Sequence, residues 1–397
     1  MRRITRSEKN NMKAIVHRQA LVEVLALACG VVPTRSPKPV LSCVRISTVV
    51  NGRDKVLRLV STDLEMTLET TISQVEISQE GNVLLPAGKL SEIVNNSPDE
   101  TIMLDTDGEK ATIKGSDSMF TLLGFNPEEF PPVSGFEGQP DFSISAGTLK
   151  EMLDRTRFAA AKEMSRYAIN GVLFERKGKK LSLVATDGHR LSQTRDETNG
   201  GESKDVSAVI PIKALALLER LLTAPESTVE LQFRENKIFG RVLPAAVPAN
   251  GDNLKPPSQP AATFSALLVE GAFPPYQDVI PKDCDRKTSL NRDQLQSAVR
   301  RAALLTNDDS RSVRLNFTTK VLTISGRSPD VGEAKVEMPI DFSGEALDVG
   351  FNPQYLLDAL KVAPTTDVTL ELKSAAKPGL LRAGPNFLYV IMPVNLS

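Results

Sequence analysis

Three segments of this chain share one layout, and that repetition limits the available folds more than any other feature. Pro86 opens PAGKLSEIVNNSP, Pro211 opens PIKALALLERLLTAP and Pro353 opens PQYLLDALKVAP. In each, the proline falls at the expected first helical turn and a leucine follows four residues on (Leu90, Leu215, Leu357). A second proline (Pro98, Pro225, Pro364) then stops the helix. Strand-like alternation follows at 101–104, 228–233 and 367–372. A further helical pattern precedes each copy, over 18–28, 147–158 and 292–304, with Leu21, Leu149 and Leu295 equivalent. After it comes a strand pair: VLRLVSTDLEM (56–66), LSLVATDGHRL (181–191) and VLTISGRSPDV (321–331). The fold class is therefore α+β: three tandem repeats, each with two helices and an antiparallel sheet.

The opening prolines lie 125 and 142 residues apart, so the second repeat is longer by about 17 residues. The stretch 244–262, PAAVPANGDNLKPPSQPAA, holds five prolines and almost nothing to bury. It reads as a solvated insertion between two strands, because Phe264 to Val269 still looks like a strand beyond it. Boundaries then fall near Gly138 and Lys282, giving domains at 12–138, 139–282 and 283–397. A chain of 397 residues is long enough for several cores.

The 41% hydrophobic and 24% charged content fits a soluble globular protein. Three widely spaced cysteines, Cys29, Cys43 and Cys284, fit a reducing compartment and offer neither a disulfide framework nor a zinc site. With only His17 and His189 present, no histidine-rich metal centre is expected. Arg2, Arg3 and Arg6 ahead of an apolar run imitate a signal peptide, but Glu23 interrupts the run and the repeat gives it a helix to form. No segment approaches membrane-spanning length. The expectation is a cytoplasmic protein without cofactor.

Within the second hairpin, Leu181, Leu183 and Ala185 alternate with Ser182 and Val184, so one face can pack on a core. Asp187-Gly188 is expected to supply a positive-φ pair for a two-residue turn. His189, Arg190 and Leu191 follow at the exposed corner. One alternative is a hydrolase using Asp187 and His189, but no nucleophile is evident beside them, since Ser192 points the other way on a regular strand. No phosphate-binding loop, dinucleotide fingerprint, zinc-protease motif or nucleophile elbow occurs either. Another alternative is a three-repeat scaffold or small-ligand binder. Helical segments also carry Lys150, Arg155, Arg157, Lys162 and Arg166, then Lys213 and Arg220, then Arg292, Arg300 and Arg301. Such charges equally suit a solvated helix face or a polyanion, and a net charge of −1 argues against a wholly basic surface.

ATDGHRL, with YAINGVLFE (167–175) upstream and the terminal YVIMPVNLS (389–397), resembles the bacterial sliding clamps, the beta subunits of DNA polymerase III. The resemblance runs from Met12 to the C-terminus, and Met12-Lys13 looks like the family's usual start, so residues 1–11 are expected to be a disordered extension. It implies a non-catalytic processivity factor, a homodimeric head-to-tail ring whose twelve helices surround double-stranded DNA. Its partners would be the replicative polymerase alpha subunit, the clamp loader and other proteins bearing clamp-binding motifs. A partner-peptide groove would be formed by Ile169, Thr186, Gly188, His189, Arg190, Leu191, Pro274, Val279, Asn352, Tyr355, Val390, Met392, Pro393 and Val394. DNA contacts would fall to Arg35, Arg166, Tyr167 and Lys213. The dimer seam would use Lys89, Phe120 and Leu122 against Leu304 and Leu305. Asp278 and Asn395 depart from the family pattern, standing where relatives often carry a basic residue, as do Gly88 beside Lys89 and Asp117 before the seam strand.

Overall fold

The structure is a computed structural model and describes residues 11–33, 35–51, 54–163, 167–200, 205–245, 247–248, 254–255, 262–306 and 312–395. The chain forms two compact units, one drawn from Met1–Gly147 and Lys213–Leu268, the other from Thr148–Ile212 and Val269–Ser397. These cut across the repeats, and strand pairing is the reason. In the first unit the strands Met66–Ile72, Asp54–Thr62, Cys43–Asn51 and Asn82–Pro86 belong to the first repeat. Strands Phe142–Ser145, Thr228–Arg234, Lys237–Leu243 and Ala262–Leu267 belong to the second, and Ala262–Leu267 pairs antiparallel with Met66–Ile72 to make one eight-stranded sheet. The second unit repeats the device. Arg190–Glu197 of the second repeat pairs with Phe387–Ile391 of the third, closing another eight-stranded sheet. Backbone ladders thus run through the sequence borders of the repeats. The first unit also holds a five-stranded sheet ending at Met119–Leu123, and the second a four-stranded sheet ending at Gly332–Pro339.

Six α-helices occur among the described residues: α1 (Arg18–Cys29), α2 (Ala87–Asn96), α3 (Ala146–Asp154), α4 (Ile212–Leu221), α5 (Arg292–Ala302) and α6 (Pro353–Val362). Leu21, Leu149 and Leu295 each stand fourth in their helices and each is buried, as equivalent positions should be. The other three helices correct one expectation. Pro86 and Pro211 are the last residues of strands, whereas Pro353 is the first residue of α6, so Asn352 is their counterpart. Leu356, fourth in its helix and 1% exposed, therefore matches Leu90 and Leu215; Leu357 is only partly buried. Asn291 and Asn352 cap α5 and α6, accepting backbone N–H groups of Asp293 and Gln294, and of Gln354. In the first unit α1 and α2 lay Leu21, Leu25, Leu90 and Val94 onto Val44, Ile46, Leu57 and Leu104; in the second, α5 and α6 lay Leu295, Val299, Leu356 and Leu360 onto Leu315, Ile324, Val349 and Leu370. Truncating any of these leucines or isoleucines to alanine costs about 2–5 kcal/mol.

The hairpins of the first two repeats are closed by the same chemistry. Thr186 Oγ1 accepts the Gly188 N–H at 3.1 Å and donates to the Arg190 carbonyl at 2.6 Å. Asp187 Oδ1 accepts the His189 and Arg190 N–H groups at 3.0 and 3.1 Å. In the first repeat Thr62 does the same for Leu64 and Met66, and Asp63 the same for Glu65 and Met66. Only one residue per turn has positive φ, Gly188 at 89° and Leu64 at 80°, so the expected Asp-Gly pair is not formed. Side-chain oxygens of Thr and Asp satisfy the turn instead. The alternation expected over Leu181–Ala185 is absent too, since Leu181 to Thr186 are all buried and the sheet is covered on both faces.

Asn11 belongs to the fold rather than to a disordered extension, because its side chain accepts the Gly108 N–H at 3.2 Å; the rest of that expected extension lies outside the described residues. The expected insertion falls between Lys237–Leu243 and Ala262–Leu267, which pair directly with each other. Of its interior only the short pair Val247–Pro248 with Leu254–Lys255 is described beyond Pro244 and Ala245, and the remainder lies outside the described residues.

Candidate functional site

The second unit carries an apolar cleft of about 320 Å³ beside the second-repeat hairpin. One wall is the hairpin itself, through Thr186, Gly188, Arg190 and Leu191. Another is the end of the chain, through Val390 and Met392. The third comes from Pro274 to Val279, with Tyr167 and Ile169 alongside. The chain end is held by backbone bonds: the Met392 N–H donates to the His189 carbonyl and the Val394 N–H to Gly350, each at 2.9 Å.

Arg190 fixes the hairpin to α6. Its Nε donates to Asp187 Oδ2 at 3.0 Å, Nη1 to Asp358 Oδ2 at 2.6 Å and Nη2 to the Phe158 carbonyl at 2.9 Å. The guanidinium also lies 4.4 Å from the Tyr355 ring centroid and 5.4 Å from that of Phe158. Burial, the largest single influence, disfavours its charge, but the hydrogen bond to Asp358 together with the contributions of Tyr389 and the Asp187 carboxylate outweighs it and leaves the pKa raised. Under the third wall, Tyr276 donates its hydroxyl to Glu175 at 2.9 Å and accepts from Gln193 Nε2 at 3.4 Å. Burial first, and then the Glu175 carboxylate, push this phenol up to about 12. The wall is thereby anchored through a neutral Tyr276.

Nine of the fourteen expected groove residues line the cleft: Ile169, Thr186, Gly188, Arg190, Leu191, Pro274, Val279, Val390 and Met392. His189, Asn352, Tyr355, Pro393 and Val394 do not. His189 and Tyr355 form an adjoining pair with ring centroids 6.4 Å apart, and Asn352 is occupied as the α6 cap. Sequence reasoning missed Pro275 and Tyr276 as lining residues, although FPPYQDV carries an obvious apolar-aromatic signal; Asp278, noted there as a departure from the family pattern, lines the cleft too. Tyr167, assigned to DNA, lines the cleft as well. The hydrolase alternative finds no geometry here. Asp187 serves the turn and Arg190, and the Ser192 hydroxyl donates to the Arg155 carbonyl at 2.5 Å. Among the described residues no cluster of potential metal ligands occurs, and no helix is long and apolar enough to cross a membrane.

The expected seam residues occupy two sheet edges. Met119–Leu123 pairs on one side only and exposes Phe120 at 43%, with Met119 and Leu123 more exposed still; Leu122 turns inward against the first-unit core. Lys89 is exposed and paired with Glu92 at 2.8 Å. Leu304 is 74% exposed on the 3₁₀ turn after α5, with Leu305 half-buried, near the open edge strand Gly332–Pro339. Of the expected DNA residues, Arg35 is exposed, Lys213 is paired with Asp63, and Arg166 lies outside the described residues. Several helix cations are answered locally: Lys150 by Asp154, Arg155 by Glu151 and Arg292 by Asp293. Arg300 and Arg301 have no ion pair among the described residues.

Comparison with known proteins matches the chain to three consecutive family models. They are the DNA polymerase III beta subunit N-terminal domain over residues 12–134, the central domain over 143–247 and the C-terminal domain over 277–395. The chain is similar to the beta sliding clamp of Pseudomonas aeruginosa, 33% identical over 388 residues, covering 97% of this chain and 100% of that one. In structure it is similar to the P. aeruginosa clamp crystallised with griselimycin, with TM-score 0.86, 32% identity and coverage of 98% and 100%. It is also similar to the Bacillus subtilis DNA polymerase sliding clamp, with TM-score 0.88, 25% identity and the same coverage.

Proposed function

The chain belongs to the DNA polymerase III beta subunits, the bacterial sliding clamps, and from that membership we propose how its own surfaces divide the work. A DNA sliding clamp performs no chemistry. Two copies close head to tail, the Met119–Leu123 edge and Phe120 of one meeting Leu304, Leu305 and the Gly332–Pro339 edge of the other. Both edges leave backbone donors and acceptors unpaired and apolar side chains in water, the condition that a second copy relieves. Each copy contributes three domains, 12–138, 139–282 and 283–397.

The closed ring holds duplex DNA in the cytoplasm through phosphate contacts that carry no sequence information, so it slides. Arg35, Arg166, Tyr167 and Lys213 are the proposed contacts, with Arg300 and Arg301, which have no ion pair among the described residues, as further cations. The cleft takes short apolar peptides of the polymerase alpha subunit, the clamp loader and other partners. His189, Asn352, Tyr355, Pro393 and Val394 extend it as a shelf. Tethering raises the effective concentration of polymerase at the primer end. The observation that carries the peptide role is the apolar cleft framed by hairpin and chain end. Loading onto nicked circular duplex tests the whole reading: the protein is expected to stay bound through gel filtration and to leave after linearisation. Equal retention on circular and linear DNA, or none on either, overturns it.

A further inference from the structure

We propose that this groove selects partner peptides whose apolar anchors are flanked by lysine or arginine. The inference rests on the peptide-groove reading and adds the charge of the partner. Among the described residues two charged side chains line the cleft, Arg190 and Asp278. Arg190 is the cation that would greet an acidic peptide, but it is already committed. Its side chain is 10% exposed, and its three donor nitrogens reach Asp187, Asp358 and the Phe158 carbonyl. Two carboxylates on one guanidinium leave that cluster with a net charge of about −1 at neutral pH.

Asp278 adds to this. It stands at the rim on the 3₁₀ turn Tyr276–Asp278, exposed, and among the described residues its carboxylate has no ion pair. At the chain end, where Met392 forms the opposite wall, the next polar side chain is the neutral Asn395. Among the described residues that line the cleft, Arg190 is the only cation. The cleft therefore combines an apolar floor, which takes leucine and phenylalanine side chains, with a negative border. An acidic flank would meet like charge at the moment its solvation is reduced, and a basic flank would meet Asp278.

The test uses the full-length protein and two dye-labelled peptides with the same leucine and phenylalanine anchors, one with lysine at both flanks, the other with glutamate at both. Polarisation titrations at low salt are expected to show the lysine peptide binding about threefold to tenfold more tightly, the range for a few ångström-spaced charges at a wet surface. Molar salt should bring the two affinities together. Asp278→Asn should shrink the preference and Asp278→Lys reverse it. Equal affinities at low salt, or a lysine preference untouched by Asp278→Lys, overturn the charge inference while leaving the groove in place. A chain lacking Met392–Ser397 separates the two levels. If it binds both peptides as well as the full-length protein, or if neither peptide binds the full-length protein, the groove reading fails and this inference with it.

Discussion

Leu64 sits at φ 80°, half exposed, at the turn position where the second repeat has Gly188. An L-residue with a branched side chain loses about 1–2 kcal/mol there through contact of Cβ with the backbone. The hydrogen bonds of Thr62 and Asp63 hold it in place nonetheless, because they tie the flanking N–H and carbonyl groups irrespective of the residue between. Replacing Leu64 by glycine removes the strain and adds about 0.5–1 kcal/mol of unfolded-state entropy against it. The expected net is a gain of about 0.5–1 kcal/mol, read as a rise of about 1–3 °C in thermal midpoint. A lower midpoint would show that the Leu64 side chain has packing of its own to lose.

Among elements, the chain end has two tasks. Phe387–Ile391 is a fully buried strand inside an eight-stranded sheet, whereas the residues just past it rest on single backbone bonds to His189 and Gly350. In the proposed groove, the boundary between structural and binding roles therefore falls at Met392. Deleting Met392–Ser397 keeps the strand with Val390 and removes Met392 from that cleft wall together with the tie to the hairpin turn. The expected outcome is a folded dimer with polymerase and loader peptides bound at least about tenfold more weakly, or about 1.4 kcal/mol. Calorimetry with those peptides decides it; unchanged affinity would place the partner site elsewhere.

For the whole molecule, Leu304 is the exposed apolar residue with most to gain from a second copy. Leu304→Ala with Leu305→Ala removes two leucines per seam, each worth about 2–5 kcal/mol if packed as in a core. In the proposed ring two seams close the dimer, so the loss counts twice. The double variant is expected to sediment as a monomer at micromolar concentration and to be lost from circular DNA. An intact dimer in the centrifuge would mean that the seam lies on other residues.

The amino-acid sequence by itself determined the repeat, its helices and its hairpins, because helical periodicity, proline stops and the Thr-Asp turn act over a few residues. Leu21, Leu149 and Leu295 could be aligned from spacing alone. The one-residue error at Leu357 arose because a proline can end a strand or begin a helix, and only the backbone separates Pro211 from Pro353. Tertiary structure alone decided the rest. Which strands pair across repeat borders depends on open edges meeting in space, as Arg190–Glu197 meets Phe387–Ile391 nearly two hundred residues later. Whether a cation is available depends on its neighbours: Arg190 is buried between Asp187 and Asp358, whereas Lys213 pairs with Asp63 and stays exposed to solvent. Asp278 acquired its place at the groove rim in the same way, through the burial of Tyr276 beside it, since desolvation and charge pairing are properties of assembled surfaces.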